Sequence, residues 1–132
     1  MRVITSADGQ QVWVTARGSD DLLCFSAARL RADPDHALVA VVRVGEAPVG
    51  LGLVDGGRRI VVADSNRFAA AGAAADLDVV DVAAALAGQP ALLGHVPAGA
   101  FPREMSLEPG GQVLLVTNFG SGQLEAVSVP SL

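Results

Sequence analysis

The sequence predicts an all-β fold, a β-propeller fragment of about three four-stranded antiparallel blades whose last blade lacks its fourth strand. Three observations predict it. The first is a line written three times: Ala7-Asp8-Gly9-Gln10-Gln11-Val12-Trp13-Val14-Thr15-Ala16, Asp55-Gly56-Gly57-Arg58-Arg59-Ile60-Val61-Val62-Ala63-Asp64 and Pro109-Gly110-Gly111-Gln112-Val113-Leu114-Leu115-Val116-Thr117-Asn118. Aligned on Val14, Val62 and Val116, the copies are spaced 48 and 54 residues apart, slightly longer than the ~40–50 residues of common propeller repeats. The second is an independent anchor: Gly45-Glu46-Ala47-Pro48 and Gly99-Ala100-Phe101-Pro102 also lie 54 residues apart. The third is the run length, because short β-branched stretches bounded by Gly, Pro, Asp and Asn favour strands over helices.

The elements follow in order within each unit. First strands fall at Arg2–Ser6, Gly50–Val54 and Glu104–Glu108, and second strands are the repeated lines ending at Ala16, Asp64 and Asn118. Third strands are Leu22–Phe25, Leu77–Val82 and Leu124–Val129; fourth strands are Leu38–Val44 and Leu92–Val96. Apolar runs such as Leu38–Val42 suit strands buried on both faces, as blades stacked on neighbours would be. Ser26–Leu30 and Ala83–Leu86 read as helical turns, the first stopped by Asp33-Pro34 and the second by Gly88 and Pro90, since a residue before proline is driven out of the α region. Phe68–Ala75, rich in Ala and Gly, lengthens the connection between the second and third strands of blade two. The chain is therefore one partial propeller domain, 1–132, with blade one at 1–44, blade two at 45–98 and blade three at 99–132.

Composition narrows the function classes. The chain has 132 residues, a net charge of −5 and 51% hydrophobic residues. Its nine basic residues are scattered and it has one Trp and no Tyr, so neither the basic footprint nor the stacking platform of a nucleic-acid binder is expected. The single cysteine, Cys24, excludes an internal disulfide and reads as a small core hydrophobe. No segment has the ~18 consecutive apolar residues of a membrane helix, and residues 1–30 carry no signal-peptide h-region. As written, the chain is expected to be soluble and cytoplasmic, without a membrane partner; an export signal upstream in a longer parent would change that compartment.

The closing Val14-Thr15-Ala16, Val62-Ala63-Asp64 and Val116-Thr117-Asn118, with the Gly-x-x-Pro loops and the Asp-Gly turn, resemble the YVTN-repeat β-propellers, the YncE-like or lactonase-like seven-bladed group. Trp13, Val61 and Leu115 replace the family Tyr, and Gly56-Gly57 stands where Asp-Gly is usual. The resemblance implies that the chain is the C-terminal three-sevenths of a longer propeller. Removing blades would leave apolar blade faces exposed and blade three with an unpaired edge, so self-association or pairing with missing blades is expected.

The same resemblance places a ligand, small molecule or protein, at the mouth of the central channel. The candidates there are Arg17, Asp64, Asn66, Arg103, Glu104 and Asn118, with Ser65 and Arg67 beside them. Arg103 could clamp a carboxylate or phosphate through its planar fork. Asp64-Ser65 is also similar to the Asp-Ser after the second strand of gluconolactonase propellers, where the Asp binds a divalent metal. Their Asn ligand is replaced by Val49 here, and the matching place in blade three holds Arg103. A hard cation wants several oxygen ligands, so no metal or cofactor is expected, and Asp64 and Asn118 read as loop caps bonding backbone amides. His36 in a turn and His95 in an outer strand form no zinc spacing, and no nucleophile elbow or phosphate loop is present. No catalytic residue is assigned. The reading is a non-catalytic binding scaffold; the alternative is a lactonase-like hydrolase in which Arg103 and a carboxylate such as Asp64 act on a sugar lactone.

Overall fold

The computed structural model describes all 132 residues. Eleven strands form three antiparallel sheets in simple meander order. Blade one comprises β1 (Val3–Thr5), β2 (Gln11–Ala16), β3 (Asp21–Ser26) and β4 (Leu38–Arg43). Blade two comprises β5 (Pro48–Val54), β6 (Arg59–Asp64), β7 (Ala75–Asp81) and β8 (Leu92–Ala98). Blade three comprises β9 (Pro102–Leu107), β10 (Val113–Asn118) and β11 (Gln123–Ser128), without a fourth strand. Strand β7 starts two residues before the expected Leu77 and β8 runs on to Ala98, because their ladder continues through Ala75 opposite Ala98 and Asp76 opposite Pro97.

The repeat in sequence is a repeat in hydrogen bonding. Gln11 pairs with Ser26, Arg59 with Asp81, and Val113 with Ser128. After each of these third-strand ends the chain turns helical. The N–H groups of Ala27, Val82 and Val129 donate to the carbonyls of Gln10, Arg58 and Gln112 at 2.9, 3.0 and 2.9 Å. The first two turns become α1 (Ala27–Ala32) and α2 (Val82–Leu86). Ser26 Oγ accepts from the Arg29 N–H at 3.3 Å and Asp81 Oδ1 from the Ala84 N–H at 2.7 Å, the N-cap geometry that offers free amides an acceptor. Residues 68–74 form turns and bends without a helix.

Alternation along each strand gives every blade two faces, each buried where it meets a neighbouring blade; β4, expected to be buried on both faces, buries Val42 toward blade two and leaves Leu38, Val39 and Val41 exposed. Between blades one and two lie Trp13, Leu22, Cys24, Val42, Leu51, Ile60, Val62 and Val80. Between blades two and three lie Val54, Val61, Ala63, Leu77, Leu114, Val116 and Val127. The second junction is tight because β5 offers glycines to β9. A Cβ on Gly50 would stand 2.7 Å from the Arg103 carbonyl oxygen, and one on Gly52 would touch Leu114 Cδ1 at 3.4 Å.

Candidate functional site

The Gly-x-x-Pro loops set the upper rim of the molecule. Ala47 and Phe101, one repeat apart, both adopt left-handed backbone, with φ of 53° and 55°, and Pro48 and Pro102 are buried behind them. This conformation lets the N–H groups of Ser65 and Asn66 donate to the Ala47 and Glu46 carbonyls, and those of Phe119 and Gly120 to the Phe101 and Ala100 carbonyls. Each loop is thereby stitched to the end of the repeated strand, and the polar residues after that strand are held on the rim.

Two kinds of chemistry are placed there. The first is cationic and aromatic. The Arg67 guanidinium lies 5.4 Å from the Phe68 ring centre and 5.6 Å from that of Phe101; Arg17 lies 5.9 Å from Phe68 and Arg103 5.5 Å from Phe119. Phe101 and Phe119 meet edge to face at 5.6 Å. Partial burial, then the charges of Arg17, Arg2, Arg103 and Arg67, hold the Met1 α-amino group below its ordinary value. Four guanidinium groups thus converge on one rim of an acidic chain. Glu104 is ion-paired with Arg2 across it. Phe68 and Phe119 are 76% and 66% exposed, so these rings face solvent, as Arg67 and Arg103 do, while Arg2 and Arg17 are half-buried.

The second is a buried carboxylate pair between blades one and two. Asp64 and Asp78 are 3% and 5% exposed, and neither oxygen of Asp64 receives a hydrogen bond from a fixed donor. The Gly45 N–H donates to Asp78 Oδ2 at 2.9 Å. Burial, then the neighbouring Asp78 carboxylate, push Asp64 up to about 8; burial also raises Asp78. Asp64 therefore carries a proton at neutral pH and can share it with Asp78. The expectation that Asp64 caps a loop is corrected: its strand is buried on both faces, so the side chain enters the junction and meets a second carboxylate. A Cβ on Gly45 would lie 2.8 Å from Asp64 Cγ, which explains the glycine. The pair borders a cavity of about 460 Å³ whose other polar walls include Arg43, Glu46, Asn66, Asp76 and His95.

Blade three repeats this construction with an amide. Asn118, 2% exposed, donates from Nδ2 to Glu125 Oε2 at 2.8 Å, and the Gly99 N–H donates to the same oxygen at 3.4 Å. Asn118 is likewise not a loop cap but a buried donor to the next strand. Asn66 donates to the Ala74 carbonyl at 3.3 Å and Ser65 Oγ to the Ala47 carbonyl at 2.7 Å. Of the candidates read from sequence, Asp64 and Asn66 border the junction cavity, and Arg103, Glu104 and Asn118 border a groove of about 530 Å³ on blade three; Arg17 is linked to Arg103 along the rim through Phe68, Arg67, Phe101 and Phe119. No three His, Cys, Asp or Glu side chains are grouped to hold a metal ion, so the donor set does not fit the metal of the gluconolactonase resemblance.

Solved structures share this architecture. The chain superposes on Kuenenia stuttgartiensis hydrazine synthase with a TM-score of 0.76 and 14% identity, over 98% of this chain and 32% of that one. A functionally unknown protein from Desulfotomaculum acetoxidans gives 0.71 and 9%, over 96% and 36%. A candidate 6-phosphogluconolactonase from Bacteroides uniformis gives 0.63 and 16%, over 96% and 40%. The chain is three consecutive β-propeller blades. It spans 32 to 40% of the length of these structures. No protein-family model and no curated protein matches the sequence. No helix is long and apolar enough to cross a membrane.

Sequence reasoning gave no site role to Asp78, Gly45, His95, Phe68, Phe101 and Phe119. Asp78 sits opposite Val62 in the ladder as Glu125 sits opposite Val116. A comparison of third strands in the same register would have found both acids.

Proposed function

We propose that this chain is part of a non-catalytic binding scaffold of the YVTN-repeat kind, and that its rim takes an anionic ligand. The observation that carries the reading is the set of guanidinium groups of Arg17, Arg67 and Arg103, each within 5.9 Å of a phenylalanine ring on the rim. Stacked arginines are held in place and keep their N–H forks free for a carboxylate or phosphate, and exposed rings add apolar contact. The hydrolase alternative needs Arg103 and Asp64 to act on one bond. They border separate cavities, and a protonated, buried Asp64 is a poor base.

Calorimetric titration with citrate and with inorganic phosphate tests the reading. Binding is expected to weaken with added salt, as exposed charges require. Arg67→Ala, which removes the cation shared by two rings, is expected to weaken it about tenfold or more, as loss of a charge-assisted contact worth about 1.5–3 kcal/mol would. Unchanged affinity in Arg67→Ala and Arg103→Ala would overturn it. Turnover of a gluconolactone that disappears in Arg103→Ala would establish the hydrolase instead.

A further inference from the structure

The junction of blades one and two gathers acids with little positive charge to balance them. Asp64 stands opposite Asp76 in the β6–β7 ladder, and Asp78 opposite His95 in the β7–β8 ladder. Opposed residues, and residues two apart, share one face of a sheet. Asp64, Asp76, Asp78 and His95 therefore all lie on the face of blade two that meets blade one. Glu46, in the loop before β5, borders the same cavity of about 460 Å³. Arg43 borders it from blade one, but its guanidinium is engaged within that blade, by Asp20 at 3.2 Å and Asp21 at 3.9 Å. His95 is exposed, as are Asp76 and Glu46.

The most buried of these acids is unpartnered. Asp64 is 3% exposed and borders the cavity, yet both of its oxygens are buried without a hydrogen-bond donor. Buried polar atoms are costly to leave unpaired. The equivalent place in blade three shows what is missing. There Asn118 brings an N–H group, and its Nδ2 donates to Glu125 Oε2 at 2.8 Å. Blade two keeps the loop glycine, whose N–H donates to Asp78 Oδ2 at 2.9 Å, but has an acid in the place of the amide. A donor from outside the chain completes the site. A positive charge serves best, because it lets two neighbouring carboxyl groups ionise together. A hard metal ion takes about six to eight oxygens, and no three acids are grouped for one. An ammonium group brings three N–H donors and no acceptor, which suits two carboxylates that lack donors.

We propose that the cavity between blades one and two binds a small aliphatic amine as its ammonium ion, held by Asp64 and Asp78. In a diamine the second ammonium group meets the exposed acids Asp76 and Glu46. The volume lies within the ~300–1,000 Å³ of small-molecule pockets. Before binding, the buried pair shares one proton. On binding, that proton leaves to solvent and the ammonium N–H groups donate to both carboxylates. Both walls of the cavity come from blades one and two, so the site needs no blade beyond them. It is separate from the arginine rim and stands or falls independently of the anion reading.

Isothermal titration calorimetry of the 132-residue chain with 1,4-diaminobutane tests this. One-to-one binding is expected at pH 7, with about one proton released, read from the change in heat between buffers of different ionisation enthalpy. Affinity is expected to rise with pH up to about 8, the value of the Asp64 carboxyl, because the proton competes for the same oxygens. Asp64→Asn puts an amide in the donor's place, as Asn118 does in blade three. It is expected to weaken binding about tenfold or more and to abolish the proton release. Asp78→Asn is expected to give the same loss. Near-ultraviolet circular dichroism of Trp13, buried at this junction, verifies that each variant is folded. No saturable binding at millimolar amine, unchanged affinity in both variants, heat that does not vary with the buffer, or tighter binding of Ca²⁺ than of the diamine would each overturn the proposal.

Discussion

At the junction of blades one and two, Asp64 lies against Asp78; at the junction of blades two and three, the same two positions hold Asn118 and Glu125. In both, a glycine N–H from the preceding loop donates to the third-strand acid, and that glycine leaves no room for a Cβ. The framework is therefore the same and only the donor differs. An amide donates at any pH, whereas a carboxyl group donates only while protonated. The apolar parts differ too. The first junction is filled by large side chains, above all Trp13; the second is closed by glycines that bring backbones together. One repeat thus tolerates two packing solutions, and each can be broken by a different class of substitution.

The largest expected effect is at the first junction. Trp13 is fully buried, and its removal leaves a hole that the flanking sheets cannot close. Trp13→Ala is expected to cost about 3–5 kcal/mol. Urea unfolding followed by far-ultraviolet circular dichroism measures this as a lower midpoint. A loss under about 1 kcal/mol would mean that the blades collapse onto the space, far from the usual behaviour of such sites. The indole Nε1 has no acceptor and is buried, so Trp13→Phe is expected to cost much less than Trp13→Ala.

The second junction should fail through added volume. In Gly50→Ala the new methyl would lie 2.7 Å from a backbone oxygen and 3.1 Å from Ala63 Cβ, neither of which can swing aside. The expected loss is about 1–3 kcal/mol. Gly52→Ala makes the matched control, since its nearest neighbour is a leucine methyl at 3.4 Å. Equal midpoints for the two variants would show that β5 and β9 are not held as closely as their geometry states.

Much of this contrast was written in the chain, and the unreadable part has a physical cause. The spacing of Gly45 and Gly99 identified the loops, and the repeated line placed β2, β6 and β10. The reason for those glycines was not legible, because it is an approach by Asp64 and Asn118 rather than a backbone angle of their own. Asp78 was hidden by its strand. In Leu77-Asp78-Val79-Val80-Asp81 an alternating acid reads as solvent-facing, yet a blade between two neighbours has no solvent face, so Asp78 is buried and Asp81 becomes a helix cap. Phe68 opens an Ala- and Gly-rich stretch that reads as spacer, and only the fold brings it beside Arg17 and Arg67. Arg103 and Glu104 were legible as rim residues because the Gly-x-x-Pro loop leads directly into them.

An effect of similar size isolates the difference between the two polar pairs. The Asp64 carboxyl sits at about 8 in the folded chain against about 4 when unfolded. Between those values the folded state holds a proton that the unfolded state has released. Stability from this group is therefore complete below about pH 4 and declines as pH rises through about 8. Asp64→Asn supplies a permanent donor to Asp78, as Asn118 supplies one to Glu125, and should remove that decline. Thermal melts at pH 5 and pH 9 are expected to converge for the variant, and at pH 9 it should exceed the parent by about 1–3 kcal/mol. Asn118→Asp is the reciprocal change: it gives the second junction two carboxylates and should steepen the alkaline loss. Parallel pH profiles for the parent and Asp64→Asn would mean that Asp64 is ionised in the folded chain, and that the two junctions do not differ in how they hold a proton.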